Sequence, residues 1–233
     1  MKRINWLQWI VAGVALLLPW QTRWMYGVEL LDGAHTEYGI MSLFAVELLV
    51  AIAMIIAALM RSSIEPRHHL PIRLGAVLCV AIILGTAFAD RGLFSLAMAT
   101  HVLFAYGLFV SLLFEQVSIR LVCGAFVLGL VSPIILGMVQ VLTGLSPASS
   151  WFGLAARSAG QLGDAVFTVD GERVLRAYGS FSHPNVFGGY LGVGLFAWWY
   201  VLAEFRSKWS ARVYAGVGTF GTALLLFGLL LAG

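Results

Sequence analysis

The chain has 233 residues, of which 61% are hydrophobic and 11% charged, and its mean hydropathy is +0.92. Soluble domains carry about 25% charged residues, so the composition excludes an ordinary water-soluble domain and points to an integral membrane protein. Fourteen basic against eleven acidic residues give a net charge of +3; the basic residues are scattered, which excludes a polyanion-binding face, and with it nucleic acid, and leaves membrane topology as their reading.

The N-terminal "MKRINWLQWIVAGVALLLPWQTRW" has a basic start and an apolar run, but Pro19, Trp20 and Gln21 stand where a small-residue cleavage site would follow. It reads as a retained first membrane helix. Apolar runs of about 20 residues, the length that crosses a bilayer, recur at roughly 4–20, 39–60, 72–89, 92–114, 120–142, 182–203 and 211–232. The expected fold is therefore all-α: one membrane domain over 1–233, a polytopic bundle of about seven helices. Pro133 bends the fifth helix, and glycines in "FGGYLGVGL" allow close helix approach. Cys79 and Cys123 fall inside apolar runs and read as small buried hydrophobes.

Lysines and arginines in short loops set orientation. With the N-terminus cytoplasmic, the inner segments hold Lys2, Arg3, Arg61, Arg67, Arg73, Arg120, Arg206, Lys208 and Arg212; the outer ones hold Arg23, Arg91, Arg157, Arg173 and Arg176. The longest non-membrane segment, about 143–181, then faces outward between helices five and six. Within it "SSWFGLAARSAGQL" is expected to form a short interfacial helix. "AVFTVDGERVLRAYG" reads as a hairpin around Asp170-Gly171, with Ala165 opposite Arg176 and Val169 opposite Glu172. Pro184 fits the first turn of the next helix.

Arg176 and Arg173 are candidate anion ligands, because a guanidinium fork matches phosphate geometry and is always charged. The plain alternative is pairing with Glu172 or with lipid headgroups. Ser182, His183, Pro184 and Asn185 open helix six, where unpaired N–H groups favour an anion; equally, Ser182 or His183 caps the helix and Asn185 bonds to backbone. Within the bilayer, Glu47 and His101 lie about eight and nine residues from the outer helix ends, roughly 12–14 Å at 1.5 Å per residue. They are expected to meet, either in a polar pocket opening outward, with Gln140 and Thr86 nearby, or as a structural pair. The sequence contains no phosphate loop, no HExxH and no DxD-type carboxylate pair, so neither metal nor cofactor is expected.

"RAYGSFSHPNVFGGYLGVGL" resembles the motif that opens the shared region of the O-antigen ligase and O-antigen polymerase superfamily, here through Arg176, Gly179, Phe181, Pro184, Asn185, Gly188 and Gly189. "LPWQTRW" and "EYGIMSLFAVELLVAIAMI" are similar to the front end of bacterial members. The resemblance implies a GT-C-like polytopic glycosyltransferase of the bacterial inner membrane, metal-independent and inverting. It takes a glycan from an undecaprenyl-diphosphate carrier to lipid A core, a growing polysaccharide or a protein. Arg176 would hold the diphosphate, and Arg173, Asn185, Glu47 and His101 would line the substrate site. The family's later loop with its histidine follows the part seen here, so the chain is expected to be truncated relative to the family, with His183 as substitute catalytic residue. Two other readings stay open: a transporter or flippase of lipid-linked or anionic substrates built on Glu47 and His101, and a non-catalytic membrane partner subunit.

Overall fold

A computed structural model describes residues 5–30, 39–60 and 63–233. Of the described residues 63% are helical. Among the described residues five helical stretches are long and apolar enough to cross a membrane: 66–86, 92–112, 119–143, 184–203 and 211–232. Two more helices, α1 (Trp6–Leu17) and α2 (Ala45–Leu59), have only 12 and 15 residues, short of the roughly 20 that span the hydrocarbon. Six short strands form three two-stranded antiparallel ladders among the described residues, an addition to the expected all-helical fold. The domain expected over 1–233 divides into two compact units: Met1–Val14 with Arg23–Ser118, and Ala15–Thr22 with Ile119–Gly233. Lys2, Arg3 and Arg61 of the topology count lie outside the described residues.

In the first unit, β1 (Arg23–Val28) pairs with β2 (Ile40–Phe44), with a bulge between Met25 and Gly27. The helix expected from residue 39 therefore begins at Ala45. Strand and helix are both apolar here and no breaker separates them, so hydropathy alone merges the two. A 3-10 turn over Pro66–His68 leads into α3 (His69–Thr86), and α4 (Gly92–Leu112) follows. α4 packs against both α2 and α3. Tyr106 Oη donates to the Ile72 carbonyl at 2.8 Å and tightens the α3–α4 contact. In α3 only Cys79 is buried, while Leu70, Leu74, Val77, Leu78 and Leu84 are exposed. A helix apolar all round is at home in lipid and not in water.

In the second unit, α5 (Ile119–Thr143), α6 (Pro184–Ala203) and α7 (Ala211–Ala232) pack on one another around Leu130, Ile134, Phe187, Leu191 and Leu225. Pro133 lies buried within α5. At Gly228 an added Cβ would stand 3.0 Å from Leu191 and 3.2 Å from Ile134, so the three helices close where α7 has no side chain. Residues 144–183 contain no helix. Two ladders shape them: β3 (Leu145–Ser146) with β4 (Arg157–Ser158), and β5 (Val166–Val169) with β6 (Glu172–Leu175). The expected hairpin forms in the expected register, Val169 opposite Glu172 and Arg176 N–H donating to Ala165. Its turn residues Asp170 and Gly171 both have positive φ, 51° and 85°, as a type I′ hairpin turn needs. The interfacial helix expected over 149–162 does not form. Gly153 and Gly163 adopt φ of +67° and +97°, and Ser149 and Leu154 bridge across a tight turn. Left-handed glycines end helical propagation, and Arg157–Ser158 pair with β3 instead.

Candidate functional site

The geometry around the start of α6 is fixed from below by one buried amide. Gln140, 1% exposed, lies one turn before the end of α5. Its Oε1 accepts from the Tyr178 and Gly179 N–H groups at 3.0 and 2.9 Å. Its Nε2 donates to the Gly179 carbonyl and to Ser146 Oγ, both at 2.9 Å. An unpaired amide would be costly at this depth; here all four bonds are made, and the chain is clamped where it returns to the membrane helices. Gly179 has φ +57° and sits against the Phe187 ring, a backbone state that a β-carbon would strain. Ser180 Oγ donates to the Pro19 carbonyl and anchors the next residue.

A second network holds the segment together from the side. Arg157 Nη1 donates to Asp164 Oδ1 at 3.1 Å, and its Nη2 to the Ser182 carbonyl at 2.9 Å. The guanidinium lies 4.4 Å from the centre of the Tyr178 ring, at cation–π distance. Asp164 is buried, and its Oδ2 accepts from Ser158 N–H. Tyr178 Oη accepts from Ala165 N–H at 2.6 Å, and its ring meets His183 edge-on at 6.3 Å.

On this base stand Arg176, Asn185 and His183. Arg176 is half-buried. Its Nε donates to the Ala232 carbonyl at 3.0 Å, as does Nη2, which also donates to Asn185 Oδ1 at 3.1 Å. Ala177 N–H donates to the Leu231 carbonyl, so the hairpin exit satisfies carbonyls in the last turn of α7, where a cation is favoured. His183 is the N-cap of α6, as one of the two expected caps, with Pro184 in the first turn. Its Nδ1 accepts from Asn185 N–H at 3.1 Å. That bond assigns the tautomer: in the neutral ring Nε2 carries the proton and is the donor. His183 and Asn185 are exposed. Among the described residues Arg176 Nη1, Asn185 Nδ2 and His183 Nε2 have no hydrogen-bond partner. Three donors of three side chains are thus left around one helix start.

Arg173 is not part of this group: it is exposed, and its Nε and Nη2 donate to the Ala159 and Gln161 carbonyls at 2.8 and 3.2 Å. Glu47 and His101 do meet, His101 Nδ1 lying 2.5 Å from Glu47 Oε1. Glu47 is the third residue of α2, shallower in its helix than expected because residues 40–44 are strand, and its Oε2 accepts from Phe44 N–H at 2.8 Å. This is half of a capping box. The Phe44 ring stands edge-on to His101 at 5.6 Å, and the Arg23 guanidinium lies 5.7 Å from the same ring. This cluster belongs to the first unit, and so does Thr86, which donates only to the Ile83 carbonyl. Gln140 belongs to the second, in the clamp described above.

Gln140, Arg157, Asp164 and Tyr178 build the site's frame, and sequence reading assigned none of them a role there. The available signal was a buried polar residue in a membrane helix and a loop arginine followed by an aspartate. Among the described residues no group of three His, Cys, Asp or Glu side chains could hold a metal ion. Compared with protein-family models, curated proteins and solved structures, the chain matches none.

Proposed function

We propose that the start of α6 is the donor site of a membrane glycosyltransferase resembling O-antigen ligases and polymerases, acting in the bacterial inner membrane on an undecaprenyl-diphosphate-linked glycan. The observation that carries the reading is the convergence of Arg176, Asn185 and His183 with three unspent donors on a rigid base. A diphosphate offers acceptor oxygens only, and donors held in place beside it favour the charge it gains as it leaves. In an inverting transfer the acceptor hydroxyl oxygen bonds to the anomeric carbon while the bond to the diphosphate breaks, and the electron pair departs on the phosphate oxygen. Arg176 grips that oxygen, Asn185 orients Arg176, and His183 donates from Nε2. His183 is then a donor to the leaving group and not the base for the acceptor hydroxyl, because its free lone pair is spent on the helix cap. The base, the sugar and the acceptor (lipid A core, growing polysaccharide or protein) lie outside this group of residues.

Transfer of glycan from the lipid-linked donor, measured in membranes at matched protein level, tests the site. Arg176→Lys keeps the charge and loses the fork; transfer is expected to fall about 10²- to 10³-fold, the range for losing a preorganised donor. Undiminished transfer would remove Arg176 from the site. Movement of the lipid-linked glycan across liposomes with no covalent product would replace the enzyme with a carrier.

A further inference from the structure

The opposite end of the second unit carries that unit's excess charge. α6 has 20 residues, about 30 Å at 1.5 Å per residue, so its far end lies one hydrocarbon thickness from His183. There Glu204 is bonded on both oxygens: Arg120 Nη2, in the first turn of α5, at 2.8 Å, and Lys208 Nζ at 2.6 Å. Arg206, Lys208 and Arg212 are exposed within seven residues of chain, and among the described residues neither Arg206 nor Arg212 has a carboxylate partner. Four cations against one carboxylate leave +3. In the rest of the second unit three arginines, Arg157, Arg173 and Arg176, are balanced by three carboxylates, Asp164, Asp170 and Glu172, so that unit's excess sits on this rim.

Two further features say what kind of partner the rim fits. Phe205 and Trp209 stack at 4.4 Å and 18°, with Lys208 Nζ 5.9 Å from the Phe205 ring. An aromatic pair at the end of spanning helices belongs to headgroup depth, apolar on one side and wet on the other. Arg120 and Arg212 also occupy the first turns of α5 and α7, with no acidic residue beside them there. The helix dipole disfavours cations in that position; Glu204 offsets this at Arg120, but among the described residues no carboxylate does so at Arg212, whereas an anionic layer outside would.

We propose that Arg120, Arg206, Lys208 and Arg212, with Trp209 beside them, form a docking surface for anionic phospholipid headgroups of the cytoplasmic leaflet. The surface fixes the second unit's orientation and turns the His183 end to the opposite leaflet. It does not depend on the glycosyltransferase reading, since charge at a membrane surface needs no fork geometry and no substrate.

The full chain, held in nanodiscs of equal phosphatidylglycerol and phosphatidylcholine, is released into detergent and its retained lipids are read by native mass spectrometry. Wild type is expected to keep phosphatidylglycerol in preference to phosphatidylcholine. Each cation is worth roughly a fivefold preference, so R206Q/K208Q/R212Q should lose it about 10²-fold, and R206Q/R212Q, which spares both ion pairs of Glu204, about 25-fold. R206K/R212K should keep it, because charge and not the fork carries the effect. Equal retention of the two lipids by wild type, an undiminished preference in the double glutamine variant, or displacement of the lipid by millimolar inorganic phosphate would each overturn the proposal.

Discussion

Two polar clusters in this chain look alike on paper, ionisable side chains at the starts of apolar helices, and they differ in what is left over. At Glu47 one carboxylate oxygen is taken by His101 and the other by Phe44 N–H, so the group is engaged on both sides by its own neighbours. At Arg176 the carbonyl of Ala232 and the amide of Asn185 occupy Nε and Nη2, and donors on three residues still have no partner among the described residues. An ionisable residue in a membrane is a functional candidate by default. The count of unspent donors and acceptors separates the two cases: the first cluster is a clasp, the second the proposed site with a clasp in its base.

The largest effect should come from the base. Gln140→Ala removes four buried hydrogen bonds at once and orphans two N–H groups, a carbonyl and a hydroxyl. At about 1–3 kcal/mol per orphaned buried group, with relaxation sparing some of them, the loss is roughly 3 kcal/mol or more. The purified protein should melt markedly earlier than wild type, and the proposed glycan transfer should vanish with it. A Gln140→Ala protein with unchanged Tm would mean that the open cluster does not rest on this amide.

How far the sequence revealed these clusters follows from how local their causes are. The Asp170-Gly171 hairpin was readable to its register because two residues set the turn and alternation sets the faces. The start of α6 was readable because Ser-His-Pro-Asn is a capping sequence. The five long spans were readable from hydropathy. β2 was not: Gly39 to Phe44 is as apolar as the helix that follows, and only pairing with Arg23–Val28, more than ten residues away, makes it a strand. That hidden strand also moved Glu47 from mid-helix to a helix start. Gln140, Arg157 and Tyr178 appear in the sequence only as polar or aromatic letters, because much of what they bind is backbone, at Gly179, Ser182 and Ala165. Backbone partners distant in the chain leave no mark in a sequence.

The next effect in size tests the clasp. Glu47→Ala strands His101 and removes the acceptor of the α2 cap. Breaking a fully buried pair costs about 3–5 kcal/mol; with the His101 side chain 24% exposed, about 2 kcal/mol is expected here. The Tm should drop, while the proposed glycan transfer, per folded molecule, should stay at the wild-type value. A double-mutant cycle with His101→Ala should return most of the loss as coupling between the two residues. Transfer abolished by Glu47→Ala at unchanged Tm would reverse the comparison and make the first cluster the active one.

The smallest effect belongs to Glu204, which has two ionic partners, more than either cluster, but is partly exposed beside exposed partners. The hydrogen bond from Lys208, aided by the charges of Arg120 and Lys208, holds its carboxyl below the usual carboxylate range against an opposing desolvation. A carboxyl whose folded pKa is depressed binds protons more weakly folded than unfolded. Its contribution is therefore present in full above the ordinary carboxylate pKa and fades as the pH falls toward the folded value. Water screens both pairs, so the contribution is slight. Melting curves of wild type and Glu204→Gln should accordingly differ a little at neutral pH and converge in acid. A gap that widened as the pH fell would mean that Glu204 is held in its protonated form, and a gap as large as that of Glu47→Ala would mean that partner number outweighs burial. The expected order, Gln140 above Glu47 above Glu204, ranks the three by burial and by the number of groups each leaves unpaired, with charge counting least.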